Sequence, residues 1–537
     1  MENYLILNTL NFPILSLLLI IPVVGAIVAM FLRGETLLKY WALAVTLVTA
    51  LVSLPLWTSF DQTTAKYQFV ELRHWFPALD LNFVIGVDGI SVLLVLLTTL
   101  VMPLCVLCSW TYIKTRWKEF VIVTLLMETA MLGVFVSLNT VLFYIFWEGM
   151  LVPMYLIIAI WGGARKDYAS IKFFLYTFTG SIFLLVAIIA MYIVTGTFFI
   201  PELMDHSFSF AFQMWVFLAC AIGFAIKMPM FPFHTWLPAA HVEAPVAGSV
   251  ILASILLKMG GYGFLRFCLP MAPAATVYCM PYLLALSLVS IVVGGYLALG
   301  QSDIKKLIAY SSVGHMGFVT LGIFLLNDAG IKGAMLQMLN HGVTTGALFI
   351  LIGIIYERTH SRELSDNNKL GMFMPIYVTF LGIFSLSSLA FPGTNSFVGE
   401  FLVLFGAFEE FPLVGAISIL GAILAAAYML RLLQKMVWDD SDGHVHHGHD
   451  DHGGHDSHGA RNLFDCNARE FIQLAFLTIF VFWIGLHPTP LLDMMDSSVT
   501  HLIHQIDAGS VMPEAVEHGG AHHALLENAG NWIKNLF

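Results

Sequence analysis

Five ionisable side chains lie inside strongly apolar stretches of this 537-residue sequence. They are three glutamates and two lysines, namely Glu128, Glu148, Lys227, Lys258 and Glu400. A charged side chain at mid-bilayer costs about 2.5–3.5 kcal/mol on insertion scales, so each one requires a partner or a function. Burial raises the pKa of a carboxylic acid and lowers that of an amine, which brings both towards neutral pH, where a proton can be handed on. The set predicts proton or ion transport, whereas a single Glu–Lys pair could simply hold two helices together.

Two proline-interrupted segments accompany these charges. The first, KMPMFPFHTWLPAAHVEAP, covers residues 227–245, and the second, FPGTNSFVGE, covers residues 391–400. Proline breaks a helix because it lacks the backbone N–H, and broken backbone at membrane depth is tolerated only where protein or water surrounds it. Paired interrupted segments are typical of inverted repeats with an ion site at their interface.

Polar residues recur at three- and four-residue spacing within three apolar runs. The sets are Gln337, Asn340, His341 and Thr344; Ser311, Ser312 and His315; and Lys172, Tyr176 and Thr179. This spacing places each set on one helix face. A polar face is costly in lipid, so it should meet water or another polar face, either as part of an ion path or as plain helix–helix hydrogen bonding. Histidine titrates near neutrality, which suits a relay.

The composition predicts an integral membrane protein. Hydrophobic residues make up 58% of the chain and charged residues 11%, with a mean hydropathy of +0.83, which leaves too little polar surface to cover a soluble globule of this size. The net charge of -11 resides largely in a loop and a tail, so it does not indicate a nucleic-acid partner. The N-terminal residues lack the positive region and cleavage site of a signal peptide, so we expect the first apolar run to be retained.

We predict an all-α fold with about fourteen transmembrane helices and two inverted five-helix repeats, each containing a broken helix. The predicted units are residues 1–119, with the first three helices; 120–269, the first repeat; 276–437, the second repeat; 438–470, a His/Asp-rich loop; and 471–537, the last transmembrane helix and an amphipathic tail. Lys and Arg gather in alternate loops, which places those loops in the cytoplasm and both termini on the opposite side.

Three further segments are interpreted without a transport role. The loop GHVHHGHDDHGGHDSHG contains residues 444–458; such tracts can bind a transition metal, but its glycines favour a solvated loop without a fixed metal site. The tail segments Thr500–Ile506 and Ala524–Phe537 are too short to span a bilayer and predict a surface helix. Cys105 and Cys108 form a C-x-x-C without a second pair, so we expect small buried residues instead of a zinc or redox site.

Several long motifs resemble those of the antiporter-like subunits of respiratory complex I, and the resemblance extends over almost the whole chain. The motifs are GVDGIS at 86–91, FWEGMLVPMY at 146–155, residues 227–245, QSDIKKLIAYSSVGHMG at 301–317 and QMLNHG at 337–342. Within the family the sequence resembles the M-type subunit, because FVGEFLVL carries Glu400 where the L-type and N-type subunits typically carry lysine. The chain also ends soon after its last predicted span, where the L-type subunit continues into a long lateral helix.

The resemblance implies roles for six residues in proton transfer. Glu148 would pair with Lys227, Lys258 would be the central relay lysine, His315 and His341 would lie on the polar axis, and Glu400 would be the terminal carboxylate. We expect the proton to pass from Lys227 to Lys258 and onward along His315, His341 and Glu400. Weaker candidates, argued from position, are Glu128, Lys172, His234 and His241.

The resemblance also implies that this subunit binds no cofactor or metal. NADH, FMN, iron–sulfur clusters and quinone are expected in partner subunits, with sister subunits L and N as neighbours in a bacterial inner membrane. Three alternatives stay open: a subunit of a multi-subunit sodium/proton antiporter, a membrane subunit of a hydrogenase-type complex, and a structural anchor whose function is its metal-binding loop.

Overall fold

The computed structural model describes residues 4–8, 10, 12–76, 81–438 and 463–510. The His-rich loop at residues 444–458 and the tail segment Ala524–Phe537 lie outside these ranges. All statements below concern the described residues.

Membrane-length helices dominate the structure. In chain order, the helices up to the first broken segment are α1 (Ile14–Phe31), α2 (Glu35–Ser53), α3 (Pro55–Thr58), α4 (Val92–Tyr112), α5 (Trp117–Val136), α6 (Thr140–Gly149), α7 (Leu151–Trp161), α8 (Lys166–Thr195), α9 (Ile200–Met204) and α10 (Phe210–Lys227). The middle helices are α11 (Trp236–Glu243), α12 (Val246–Ile251), α13 (Leu257–Gly263), α14 (Leu269–Met271), α15 (Pro273–Leu299), α16 (Ile304–Phe324) and α17 (Asp328–Thr359). The last helices are α18 (Leu370–Phe373), α19 (Pro375–Ser388), α20 (Asn395–Glu410), α21 (Pro412–Leu433), α22 (Ala468–Leu486) and α23 (Thr489–Ser510).

Within the described part of the chain, 13 helical spans are long and apolar enough to cross a membrane. A further apolar helix, α19, is shorter and continues into α20 after the interruption at residues 389–394. The predicted helical membrane fold is therefore confirmed. The exact number of fourteen spans and the inverted repeats stay predictions.

Both predicted interruptions are present. The helix α10 ends at Lys227, and the chain passes through a short 3-10 turn at Phe233–Thr235 before α11 begins. Pro229 and Pro232 stand in this gap and cannot donate the backbone hydrogen bonds of a continuous helix. Pro245 then separates α11 from α12. These breaks place two lysine-bearing helices next to irregular backbone.

Two spans form the centre of the bundle. The span Val246–Met271 and the span Asp328–Thr359 are enclosed by other helices over their whole most apolar stretch, whereas less than half of the corresponding stretch is buried in α8 and in α22. The span Val246–Met271 contains π-helical turns at Leu252–Leu256 and Phe264–Cys268. Such turns inside α-helices occur frequently at functional sites. Lys258 lies between them.

A small sheet on one side of the bundle was not anticipated from the sequence. It contains β1 (Leu5–Leu7), β2 (Tyr67–Phe76) and β3 (Leu81–Val87) in the order β1-β2-β3. The first pair is parallel and the second antiparallel. Glu71 on β2 accepts a hydrogen bond from the backbone N of Leu15, at 2.9 Å, at the start of α1, where the helix dipole favours a negative charge. The sheet thereby fixes the first helix and leads directly into α4.

The tail contains a helix, α23, that includes the predicted amphipathic segment Thr500–Ile506. It buries one face that includes Leu491, Met495 and Leu502, and it is not among the membrane-length apolar helices. The six cysteines are unpaired. Cys105 is buried, and the Cys108 Sγ donates to its carbonyl at 3.3 Å.

Candidate functional site

Lys258 and His341 form the centre of the site. Lys258 on α13 is 0% exposed and His341 on α17 is 2% exposed. The Lys258 Nζ lies 2.7 Å from the His341 Nδ1 and also donates to the Ala253 carbonyl. A proton can therefore pass between amine and imidazole without a change of position of either backbone.

The polar chain continues to a buried histidine and carboxylate. The rings of His341 and His315 have centroids 5.8 Å apart at an angle of 63°. The His315 Nδ1 lies 2.9 Å from the Glu400 Oε1, and both side chains are buried. A single water or a side-chain rotation can span the separation between the two imidazoles. Lys258, His341, His315 and Glu400 thus form one buried row across α13, α17, α16 and α20.

The order of the two histidines differs from the predicted order. We expected Lys258 to be followed by His315 and then by His341, but His341 contacts Lys258 and His315 contacts Glu400. The helix α17 packs against both α20 and the span that carries Lys258, and α16 also contacts α13 and α20, so the order of the two histidines depends on where each side chain lies along its helix. The sequence order of the helices carries no information about this.

Uncharged polar side chains surround the row. The Gln337 Nε2 donates to the Glu400 Oε1 at 2.9 Å, and the Asn340 Nδ2 donates to the Asn395 carbonyl at 2.8 Å. The Thr344 hydroxyl lies 2.7 Å from the Ser387 Oγ. The predicted polar face of α17 therefore meets polar groups of α20 and of the residues that precede it.

Two hydroxyl groups lie within hydrogen-bonding distance of the second ring nitrogen of His315. The Ser388 Oγ lies 3.3 Å and the Tyr428 hydroxyl 3.4 Å from the His315 Nε2. These residues were missed from the sequence, because a serine or tyrosine in an apolar run is common and carries no distinctive spacing.

The interaction between Lys227 and Glu148 is less direct than predicted. Glu148 acts electrostatically on the buried Lys227, but no direct ion pair joins the two side chains in the described structure. The Lys227 Nζ instead lies 5.1 Å from the centroid of the Trp147 ring, a cation–π distance. Glu148 is half-buried, and its Oε1 has no hydrogen-bond partner among the described residues.

The end of α10 is packed closely against α13. A Cβ added to Gly260 would lie 2.7 Å from the Met228 Cβ and 2.8 Å from the Phe224 carbonyl oxygen, so this approach requires glycine. Lys227 and Lys258 therefore belong to adjacent segments, although no hydrogen bond between them is present in the described part of the chain.

The weaker candidates occupy different places. Glu128 is fully buried, and neither carboxyl oxygen has a partner among the described residues. Lys172 is half-buried on α8, with its Nζ 5.6 Å from the Tyr168 ring centroid, and it acts electrostatically on His234. His241 is fully buried. None of the four is hydrogen-bonded to the row from Lys258 to Glu400 in the described structure.

A buried ion pair lies beyond the row on the same span as Lys258. The Arg266 Nη2 lies 2.6 Å from the Asp88 Oδ1, and the Arg266 Nη1 donates to the Tyr67 hydroxyl at 2.8 Å. The Arg266 Nε also donates to the Tyr262 hydroxyl at 3.3 Å. Burial raises the pKa of Tyr67, so its hydroxyl stays neutral beside the arginine. Sequence reasoning missed Arg266, although a lone arginine eight residues after Lys258 in an apolar run was the available signal.

Among the residues that the structure describes, no group of three or more His, Cys, Asp or Glu side chains is arranged to hold a metal ion.

Comparisons with known proteins identify the family of this chain. Residues 137–425 match the family model described as "NADH:quinone oxidoreductase/Mrp antiporter, TM". The chain is 44% identical to NADH-quinone oxidoreductase subunit M of Rhodobacter capsulatus, with 92% of this chain and 97% of the relative covered. It is 43% identical to NADH-ubiquinone oxidoreductase chain 4 of Arabidopsis thaliana, with 91% and 97% covered.

A solved structure has the same fold. A chain of respiratory complex I from Thermus thermophilus with bound NADH matches with a TM-score of 0.80 and 28% identity, covering 91% of this chain and 99% of that chain. The resemblance stated from the motifs is thereby confirmed. This chain belongs to the NADH:quinone oxidoreductase/Mrp antiporter transmembrane family and is an antiporter-like membrane subunit of the NADH:quinone oxidoreductase type.

Proposed function

We propose that this subunit translocates protons and performs no redox step itself. The observation that carries the proposal is the buried row Lys258, His341, His315 and Glu400, in which both terminal pairs are within hydrogen-bonding distance. Each member can gain and lose a proton, and the row lies in the centre of the bundle, where lipid cannot reach it. A purely structural network would not require four ionisable groups in succession.

Electron transfer from NADH to quinone in other subunits would drive the process by changing the charge near Glu148. Loss of the negative charge of Glu148 removes a favourable interaction from the Lys227 ammonium and so favours release of its proton. The proton then moves to Lys258 and along His341 and His315 to Glu400.

The names of the relatives support a proposal for the cofactors, partner subunits and location of the complex. Their names place them in NADH-quinone and NADH-ubiquinone oxidoreductases, so we propose that NADH, FMN, iron–sulfur clusters and quinone are bound by partner subunits. We propose the sister antiporter-like subunits L and N as neighbours in the membrane arm. A bacterial inner membrane is the proposed location, since a bacterial subunit M is among the relatives.

Replacing Glu400 with Gln tests the row directly. The Glu400→Gln variant retains the side-chain shape but removes the proton acceptor for His315, so we expect NADH-driven proton pumping by the assembled complex to fall about tenfold or more. Pumping is measured by fluorescence quenching in inside-out vesicles. Glu410→Gln, at the exposed end of the same helix, is the matched control and should pump normally. Normal pumping by assembled Glu400→Gln complex would overturn the proposal.

Glu148→Gln and Lys227→Met test the driving step. Both variants should reduce pumping, because each removes one of the two charged groups whose electrostatic interaction controls release of the Lys227 proton. The double variant should be no worse than the poorer single variant, since the two residues act on one step. Strictly multiplicative losses would show that they act independently and would contradict the proposed coupling.

A further inference from the structure

The helix α22 lies outside the two predicted repeats, yet it packs against both halves of the second broken helix. It contacts α19, α20 and α17. Close to the starts of the two helices, the rings of Phe380 on α19 and Phe471 on α22 have centroids 5.5 Å apart at an angle of 70°. The second break, residues 389–394, contains no ionisable side chain, so its position depends on what packs against it.

Charged side chains fix the start of α22 to α17 and to α19. The Arg358 Nη2 on α17 lies 2.7 Å from the Glu470 Oε2 in the first turn of α22. Just before α22, the Asp465 carboxylate accepts from the backbone N of Ile376 at 2.7 Å and of Tyr377 at 3.0 Å. These N–H groups at the start of α19 have no partner within their own helix, and the helix dipole favours a negative charge there. The starts of α19 and α22 are therefore joined.

Near its other end, α22 lies backbone to backbone against the second break. A Cβ added to Gly485 would lie 2.5 Å from the carbonyl carbon of Thr394 and 2.7 Å from that of Gly393, and it would also meet the Gly393 carbonyl oxygen. Such a close approach of two backbones requires glycine. Any side chain at position 485 would therefore push the second break away from α22.

Residues on both sides of the second break contact the buried row. Ser388 is the last residue of α19, and its Oγ lies 3.3 Å from the His315 Nε2. Asn395 is the first residue of α20, and its Oδ1 accepts from the Ser387 Oγ at 2.6 Å, which ties α20 to α19. Glu400 follows on α20, with its Oε1 2.9 Å from the His315 Nδ1. The contacts of both ring nitrogens of His315 therefore depend on where the second break holds α19 and α20.

We propose that Gly485 and Asp465 are positioning residues for the buried row. Asp465 holds the start of α19, and the close approach at Gly485 holds its end, so that Ser388 and Glu400 stay on opposite sides of the His315 ring. The proposal rests on the proposed function, because it concerns the proton transfer between His315 and Glu400. Neither positioning residue carries the proton. A displaced second break would leave every ionisable group of the row in the protein but would lengthen the hydrogen bonds of His315.

Gly485→Ala tests the close approach with the smallest possible side chain. The added methyl group must displace the second break, and a misplacement of about 1 Å can cost about 100-fold in rate. We therefore expect NADH-driven proton pumping to fall about tenfold or more, measured in inside-out vesicles and normalised to assembled complex on native gels. Gly382→Ala on α19 is the matched control, because an added Cβ there would meet no atom within 4 Å. This control should pump normally.

The pH dependence of pumping distinguishes a displaced break from a poorly assembled complex. The ionisable groups that lie against the His315 ring are Glu400, His341 and Tyr428, and Gly485→Ala replaces none of them. Because the variant alters the hydrogen bonds of this ring, the pH optimum of pumping should move. A smaller amount of intact complex would lower pumping at every pH without moving the optimum.

Two further variants complete the test. Gly485→Ala combined with Glu400→Gln should pump no worse than Glu400→Gln alone, because both changes act on one transfer, and a clearly poorer double variant would contradict the inference. If Gly485→Ala fails to assemble, Asp465→Asn decides, and it too should pump less with a moved pH optimum. Normal pumping with an unmoved optimum in the deciding variant would overturn the inference, provided that Glu400→Gln is impaired. Normal pumping by Glu400→Gln would instead overturn the proposed function itself.

Discussion

Lys258→Met is expected to abolish NADH-driven proton pumping in an assembled complex. Methionine matches the length and apolar stem of lysine, so the enclosed span Val246–Met271 should still pack. The variant lacks the amine that lies 2.7 Å from the His341 Nδ1, and no other described side chain bridges to the row at this point. We expect a loss of about 100-fold or more, the scale of a missing proton-transfer group.

The measurement is the initial rate of acidification in inside-out vesicles, normalised to the amount of assembled complex. Lys114→Met, an exposed lysine outside the bundle centre, is the control and should retain the wild-type rate. Lys227→Met should lose less than Lys258→Met, since Lys227 has no hydrogen bond to the row in the part of the chain described here. Equal and mild losses for both lysines would contradict the central position of Lys258.

The second large effect concerns stability. Asp88→Asn removes the negative charge beside the fully enclosed Arg266, and breaking a buried ion pair on one side costs about 3–5 kcal/mol. That is a large share of the total stability of a typical folded domain. We therefore expect little Asp88→Asn subunit in the membrane and little assembled complex, as measured by native gel electrophoresis.

The double variant Asp88→Asn/Arg266→Gln separates charge imbalance from a specific requirement for either side chain. With both charges removed, no unpaired ion is left inside the protein, and most of the assembly should be recovered. Asp493→Asn, an exposed aspartate on α23, should assemble like the wild type. If the double variant assembles as poorly as Asp88→Asn, the loss does not arise from the unpaired arginine.

The location of this ion pair matters because Arg266 and Lys258 share one membrane span. Asp88 follows directly after β3, and the Asp88 Oδ1 also accepts from the Ser91 backbone N at 3.1 Å. The sheet thus anchors one end of the span that carries Lys258. The motif GVDGIS is recognisable in the sequence, but it does not reveal the role of Asp88, because the partner of Asp88 lies 178 positions away.

The membrane-spanning helices and the interior charges were predictable from the sequence, since each depends on local properties. A run of about 20 apolar residues is enough to define a span, and an ionisable residue within such a run is recognisable whatever its neighbours are. The prolines in residues 227–245 likewise predicted the break after Lys227. The short strands were not recognised, because they are shorter than the helices and because β1, which precedes α1, finds its partner β2 only after α3, as in the pair of Leu5 with Tyr67.

Only the tertiary structure decided which of these ionisable side chains contact one another. Lys258 reaches His341 across 83 positions and His315 reaches Glu400 across 85 positions, so the order of the row follows from the packing of α13, α17, α16 and α20. Among the described residues, packing also left Glu148 and Lys227 without a direct ion pair, and it stacked the ring of His241 on that of Phe349. The sequence by itself determined which residues the membrane interior must accommodate, because the free-energy cost of placing a charge in lipid applies to each residue separately. The path between them depended on contacts between distant helices, which hydropathy and helical periodicity do not encode.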